Sequence, residues 1–112
     1  MNSFTEFNNG KDADVIIPYR KINNKLPVCN FMDNILRKIP SDLKILTYSV
    51  EGEPIFKHIM YDGKSIKYVI NDLNSYNEYF GNKIVKSAIH DAIYYNLYNN
   101  DELIKTMFGY KN

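Results

Sequence analysis

Apolar residues recur with two different periods along this chain, and the change of period divides it. Val28, Phe31, Met32, Ile35, Leu36 and Ile39 form one continuous stripe at the spacing of a 3.6-residue helix. Pro27 suits the first helical turn, where its missing N–H needs no partner. Arg37 and Lys38 favour the negative end of the helix dipole, and Pro40 stops the helix. This pattern predicts a helix over 25–38. From Ser41 the period falls to two. Leu46, Tyr48 and Val50 share one face of a strand, and Leu43 and Ile45 make the other face apolar as well. Residues 55–61 alternate again, with apolar side chains on both faces. Ile66, Tyr68 and Ile70 point one way from a third strand, while Ser65, Lys67 and Asn71 point to water. Between the strands, Glu51-Gly52-Glu53-Pro54 reads as a turn and Asp62-Gly63 as a type I′ hairpin turn. An antiparallel meander over 43–71 follows.

The flanks are less regular. Val15-Ile16-Ile17 ends at Pro18 and predicts a short strand over 14–17. Residues 1–13 are polar and read as a flexible arm that Phe4 and Phe7 anchor, leaving 14–112 as a single domain. Residues 72–82 are polar and read as a loop. Over 83–98, Val85, Ala88, Ile89, Ala92 and Ile93 fit a helix, but the same segment fits two strands turning at His90-Asp91. Asn100 as N-cap, Asp101 and Glu102 in a first turn, and Gly109 as terminator predict a short helix over 101–108. No internal repeat stands out. The expected fold is α+β: an antiparallel sheet of four to five strands, the main helix on one face, and a short C-terminal helix.

Composition narrows the function classes more than it selects one. The chain has 112 residues, 45% hydrophobic and 24% charged, which is the size and make-up of one globular domain. A net charge of +1 supplies no strong field towards nucleic acid or anionic membrane. Cys29 is the single cysteine and cannot form an internal disulfide; its place in the helical pattern reads as a buried, inert thiol. No apolar run could span a bilayer, and the N-terminus has no signal-peptide pattern. The expected location is therefore the cytoplasm. The one departure from an average composition is an abundance of Asn, Ile, Lys and Tyr, with ten tyrosines and no tryptophan.

The motif order resembles a family of small uncharacterised bacterial domains, domain-of-unknown-function family 4362, many of whose members are lipoproteins. Asp14-Val15, the KINN segment at 21–24, Phe31, DLKILTYSVEGEPIF at 42–56, YDGKSIKY at 61–68, and Phe80-Gly81 carry the resemblance over about residues 14–81. Family members usually have a lipobox and later cysteines, and this chain has neither. If the resemblance continues past residue 81, it implies strands over 83–98. It implies no activity.

No catalytic, cofactor-binding or metal-binding set emerges. His58 alternates with Phe56 and Met60 on a strand. His90-Asp91 reads as a turn before it reads as an acid–base pair. Glu51 and Glu53 flank Gly52 on an exposed turn. Lys57, Lys64 and Lys67 interleave with Tyr61 and Tyr68 in a pattern that could stack on single-stranded nucleic acid, a weak reading at this net charge. Tyr76, Tyr79, Tyr94, Tyr95 and Tyr98 are the least ordinary group, because tyrosine is favoured at protein contacts. The expected function is a non-catalytic protein-interaction module, such as an inhibitor, an immunity protein or a mobile-element accessory protein. It would use those tyrosines to bind a protein partner or a second copy of itself, without a cofactor. The alternatives are an envelope-associated ligand-binding domain and a weak nucleic-acid-binding module.

Overall fold

In the computed structural model, which describes residues 12–72 and 74–111, the period-two segments dominate. The order is β1 (Val15–Ile17), a 3-10 turn (Pro18–Arg20), α1 (Leu26–Leu36), β2 (Ser41–Tyr48), β3 (Pro54–Tyr61), β4 (Ile66–Asn71), β5 (Tyr76–Gly81), β6 (Lys83–Ile89), β7 (Ala92–Asn99) and β8 (Glu102–Lys111). Strands β1 to β5 form one sheet in sequence order, with β1 parallel to β2 and the remaining pairs antiparallel. Strands β6 to β8 form a second, antiparallel sheet. The fold is thus β-rich, with two sheets and one α-helix among the described residues. This corrects the expected α+β arrangement of a single sheet with two helices. The sequence expectations for residues 1–11 lie outside the described residues.

One core joins the two sheets and α1. Val15, Ile17, Leu43, Ile45, Ile59, Tyr61, Ile66 and Tyr68 line the inner face of the first sheet. Val28 and Phe31 of α1 pack there, as do Tyr95, Leu97, Met107, Phe108 and Tyr110 of the second sheet. The apolar stripe of α1 is only partly used: Leu36 and Ile39 remain exposed. The helix ends at Leu36, where Lys38 takes a left-handed φ of 58° and its N–H reaches the Ile35 carbonyl. Cys29 is exposed, against the expected buried thiol.

The expected C-terminal helix 101–108 is strand β8, and the reason is local. Its pairing with β7 shifts register twice, so that Met107 and Ile104 are skipped between paired residues. Each skipped residue is a bulge that turns neighbouring side chains to the same side. Apolar residues then fall in adjacent pairs, Leu103-Ile104 and Met107-Phe108, and imitate a helical stripe. Gly109 is not a helix terminator. It lies under the Tyr94 ring, where a Cβ would meet Cδ1 at 2.4 Å. Asn100 caps no helix but turns β7 into β8 at φ 56°. The expected loop 72–82 contains β5, whose residues Tyr76, Asn77 and Glu78 are exposed and so read as polar. Over 83–98 the strand alternative holds, with the turn at His90, φ 55°.

The hairpin turns also follow a rule that the sequence reading missed. Asp62 Oδ1 accepts the N–H groups of Lys64 and Ser65 at 2.9 and 2.7 Å. Ten residues on, Asp72 Oδ1 accepts those of Asn74 and Ser75, both at 2.8 Å. These bonds hold both carboxyls below the usual aspartate range, with the Ser65 N–H the largest cause at Asp62 and the Asn74 N–H at Asp72. In the first turn only Gly63 has a positive φ, 102°. That is the φ pattern of a type II′ turn over Gly63-Lys64, one residue later than the type I′ turn expected.

Candidate functional site

Two turns beyond the carboxyl ends of β1 and β2 face each other across a cleft. The first is the 3-10 turn at Pro18–Arg20. Tyr19 and Arg20 both adopt left-handed backbone, at φ 51° and 69°. Such a conformation costs about 1–2 kcal/mol per non-glycine residue, and must be held from outside. Asn23 does the holding. Its N–H donates to the Ile16 carbonyl at 3.0 Å, and its Oδ1 accepts the Ile16 N–H at 2.9 Å. The Lys21 N–H closes the turn on the Pro18 carbonyl at 3.1 Å. Asn24 Oδ1 then accepts the Leu26 N–H at 3.0 Å and so starts α1. The result is a hydrogen-bonded loop that presents Tyr19 to solvent, 96% exposed. Asn23→Ala is expected to cost about 1 kcal/mol in urea unfolding, because it removes one of these bonds. It should also broaden the amide resonances of Tyr19 and Arg20.

The second turn joins β2 to β3. The Ser49 N–H donates to the Glu53 carbonyl at 2.8 Å, the Gly52 N–H donates to the Ser49 carbonyl at 2.9 Å, and Ser49 Oγ accepts the Glu53 N–H at 3.1 Å. Gly52, at φ 86°, meets nothing within 4 Å, so its backbone conformation and not crowding favours glycine there. Val50 projects fully into solvent from this turn.

Between the two turns lies an open, mostly apolar cleft of about 490 Å³ lined by Pro18, Tyr19, Arg20, Tyr48, Val50 and their neighbours. That volume is in the range of ligand-binding clefts. Its polar side chains are the Tyr19, Tyr48 and Ser49 hydroxyls, each able to donate or accept, and the Arg20 guanidinium. Among the described residues neither tyrosine hydroxyl has a protein partner, and Arg20 pairs with no carboxylate. Arg20 is steadied from the side instead, its Nη2 donating to the Tyr94 hydroxyl at 3.3 Å.

The five tyrosines expected to form a contact surface do not lie on one surface. Tyr95 is buried in the core, stacked on Phe108 at 4.5 Å and hydrogen-bonded to the Tyr110 hydroxyl at 2.8 Å. Tyr79 is half-buried, stacks on Tyr68 at 5.9 Å, and carries the Lys105 ammonium over its ring. Tyr76 is exposed and donates to Glu78 Oε2 at 2.8 Å. Tyr94 covers Gly109 and steadies Arg20, while Tyr98 lies under Lys83. Tyr94 is the member of the five whose hydroxyl meets a residue that lines the cleft. The sequence signal for the cleft was the pair of exposed residues at tight turns, Tyr19 and Val50.

The other candidates also resolve into local roles. His58 is buried with its Nε2 2.7 Å from Asp42 Oδ2, and neither His58 nor His90 lines the cleft. The basic and aromatic residues of the β3–β4 hairpin separate: Tyr61 and Tyr68 face the core, and Lys67 pairs with Glu78 at 3.2 Å. Lys57 points inward, where its Nζ donates to the Met107 carbonyl at 2.8 Å. No group of three or more His, Cys, Asp or Glu residues that could hold a metal occurs among the described residues. No helix among them is long and apolar enough to cross a membrane.

The family described as "Domain of unknown function (DUF4362)" matches residues 12–103. The chain belongs to this family. The match extends the resemblance seen at 14–81 through β6 and β7, in agreement with the strands the family resemblance implied there. No curated protein and no solved structure matches the chain. Two of the segments that carry the family resemblance build the cleft. The KINN segment supplies Asn23 and Asn24, which fix one wall, and YSVEGEP supplies the other.

Proposed function

We propose that this protein is a non-catalytic protein-interaction module, acting as an inhibitor, immunity or accessory protein does, and that it contacts its partner through the cleft between Tyr19 and Val50. The observation that supports this is the placing of a nearly fully exposed tyrosine on strained backbone that Asn23 braces. A bulky apolar side chain held out in water at an energetic cost has a reason to be there only if something covers it. Tyr48 and Val50 extend the same apolar surface across the cleft, and the paired turns keep it preorganised, which lowers the entropic cost of binding.

Tyr19→Ala combined with Val50→Asp tests the assignment, since both side chains are exposed and neither supports the core. The tagged wild-type protein, expressed in its native host, is expected to retain a specific partner through affinity purification. The double variant should lose at least about tenfold of that recovery, whereas Tyr76→Ala should keep it. Equal recovery by wild type and double variant would move the contact surface elsewhere.

A further inference from the structure

The sign of the cleft's charge indicates what it takes, given that it is the contact surface. We infer that it binds a segment of a protein partner in which an aspartate or glutamate stands next to an apolar side chain. Arg20 sets the sign. The Tyr19, Tyr48 and Ser49 hydroxyls can accept as well as donate, so they fit either charge, whereas a guanidinium only donates. No carboxylate lines the cleft, and among the described residues neither Arg20 nor its neighbour Lys21 is in an ion pair. The Tyr94 hydroxyl accepts from Arg20 Nη2 at 3.3 Å. That contact leaves guanidinium donors for the two parallel bonds that a carboxylate accepts. From Pro18 to Lys25 this wall carries three basic residues and no acidic one.

The apolar neighbour follows from the walls. Pro18, Tyr19, Tyr48 and Val50 offer more apolar surface than one carboxylate covers. Tyr19 and Val50 stand almost fully exposed at the two turns. A small acid inside the cleft would leave their outer faces in water, whereas a protein segment covers them. Glu51 and Glu53 sit in the second turn outside the lining, where Ser49 Oγ donates to Glu51 Oε2 at 3.4 Å. Their charge opposes a carboxylate on that side, which places the acid against Arg20 and the apolar neighbour towards Val50. Nucleic acid also carries anions, but it is held by a track of cations, and a net charge of +1 supplies no such field.

Amide-detected NMR on the full chain tests this with capped peptides: acetyl-Ser-Asp-Leu-Leu-Ser-amide and its counterparts with Asn or Lys in place of Asp. The Asp peptide is expected to shift the Tyr19, Arg20, Tyr48 and Val50 amides. It should bind about tenfold tighter than the Asn peptide, with the Lys peptide weakest. Raising the salt from about 50 to about 500 mM should shrink that preference. Arg20→Gln should abolish it, and Arg20→Lys should keep part of it, because an ammonium retains the charge but not the fork. Equal binding of the Asp and Asn peptides, an Asp preference that survives Arg20→Gln, no shifts at millimolar peptide, or tighter binding of a short oligodeoxythymidylate would each overturn the inference. If one of these occurs while Tyr19→Ala with Val50→Asp still abolishes partner recovery, the occupant is wrong and the surface stands. If the partner recovery is also unchanged, the surface fails with it.

Discussion

Gly81→Ala should lower the stability of the domain by about 3–4 kcal/mol, one of the two largest effects expected here. Gly81 is where the chain leaves the first sheet for the second. A Cβ at that position would meet the Tyr98 carbonyl oxygen at 2.4 Å and Leu97 Cδ1 at 2.7 Å. The first is backbone and the second belongs to a fully buried core side chain, so neither yields cheaply. The next residue locks the corner, as the Asn82 N–H donates to the Tyr98 carbonyl at 2.8 Å and its side chain exchanges two bonds with Asn100 at 2.9 Å. Gly52→Ala is the control. Nothing crowds it, so it should cost only the left-handed backbone term, about 1–2 kcal/mol. Urea unfolding of both variants checks the difference. Near-equal losses would mean that the two sheets do not approach each other at Gly81.

The same glycine shows what a sequence can and cannot reveal about this fold. The meander β2–β3–β4 is legible because its alternation and its turns are local properties. So is α1, whose stripe is long enough to outvote noise. Strand β8 is not legible, because two bulges break its alternation and what decides its state is pairing with β7. Strand β5 is hidden for a different reason: it is an edge strand whose first three residues, Tyr76, Asn77 and Glu78, are all exposed, so no alternation marks it. Gly81 stands out in the sequence only through the family resemblance, in the Phe80-Gly81 pair, because the carbonyl of Tyr98 that requires it lies seventeen residues away in sequence and only folding brings it near.

The tyrosines expected to form one surface disperse for a related reason. Counting tyrosines drew attention to residues 76–98, where the side chains point in several directions and Tyr95 serves the core. The turn at Glu51–Pro54 has a sufficient local explanation in its glycine and proline, and the KINN segment enters the sequence pattern only through the family resemblance. In the structure the Pro18–Arg20 turn, which Asn23 braces, and the turn after β2, about thirty residues apart in sequence, stand on opposite sides of one cleft. A turn can satisfy its backbone and still present a side chain for binding. At Tyr19 the two roles are linked, because the left-handed backbone that Asn23 stabilises is what projects the ring.

Stability should rise, not fall, as the pH is raised from neutral to about 9–10. Lys57 sits on the core side of β3 with no carboxylate beside it among the described residues. Burial, helped by the nearby Lys105 ammonium, lowers it from 10.5 to about 8. Below pH 8 both folded and unfolded chains hold the proton, and the folded state carries the full penalty of a buried ammonium. Between about 8 and 10.5 the folded chain has released the proton and the unfolded chain has not, so each step up in pH favours folding. The full gain is about 3 kcal/mol. Tyr68 and Tyr95 act in the opposite sense. Burial pushes both hydroxyls up, so above about pH 10 the unfolded tyrosines ionise first and stability declines. Lys57→Met should remove the rise and stabilise the protein by about 2 kcal/mol at pH 7, after allowing for the lost hydrogen bond. The Met107 carbonyl keeps a partner in that variant, since the Tyr68 hydroxyl also donates to it at 3.0 Å. Urea midpoints measured from pH 6.5 to 11 on wild type and Lys57→Met give both curves. A flat wild-type profile between pH 7.5 and 9.5 would show that Lys57 reaches water more freely than its position between the sheets allows.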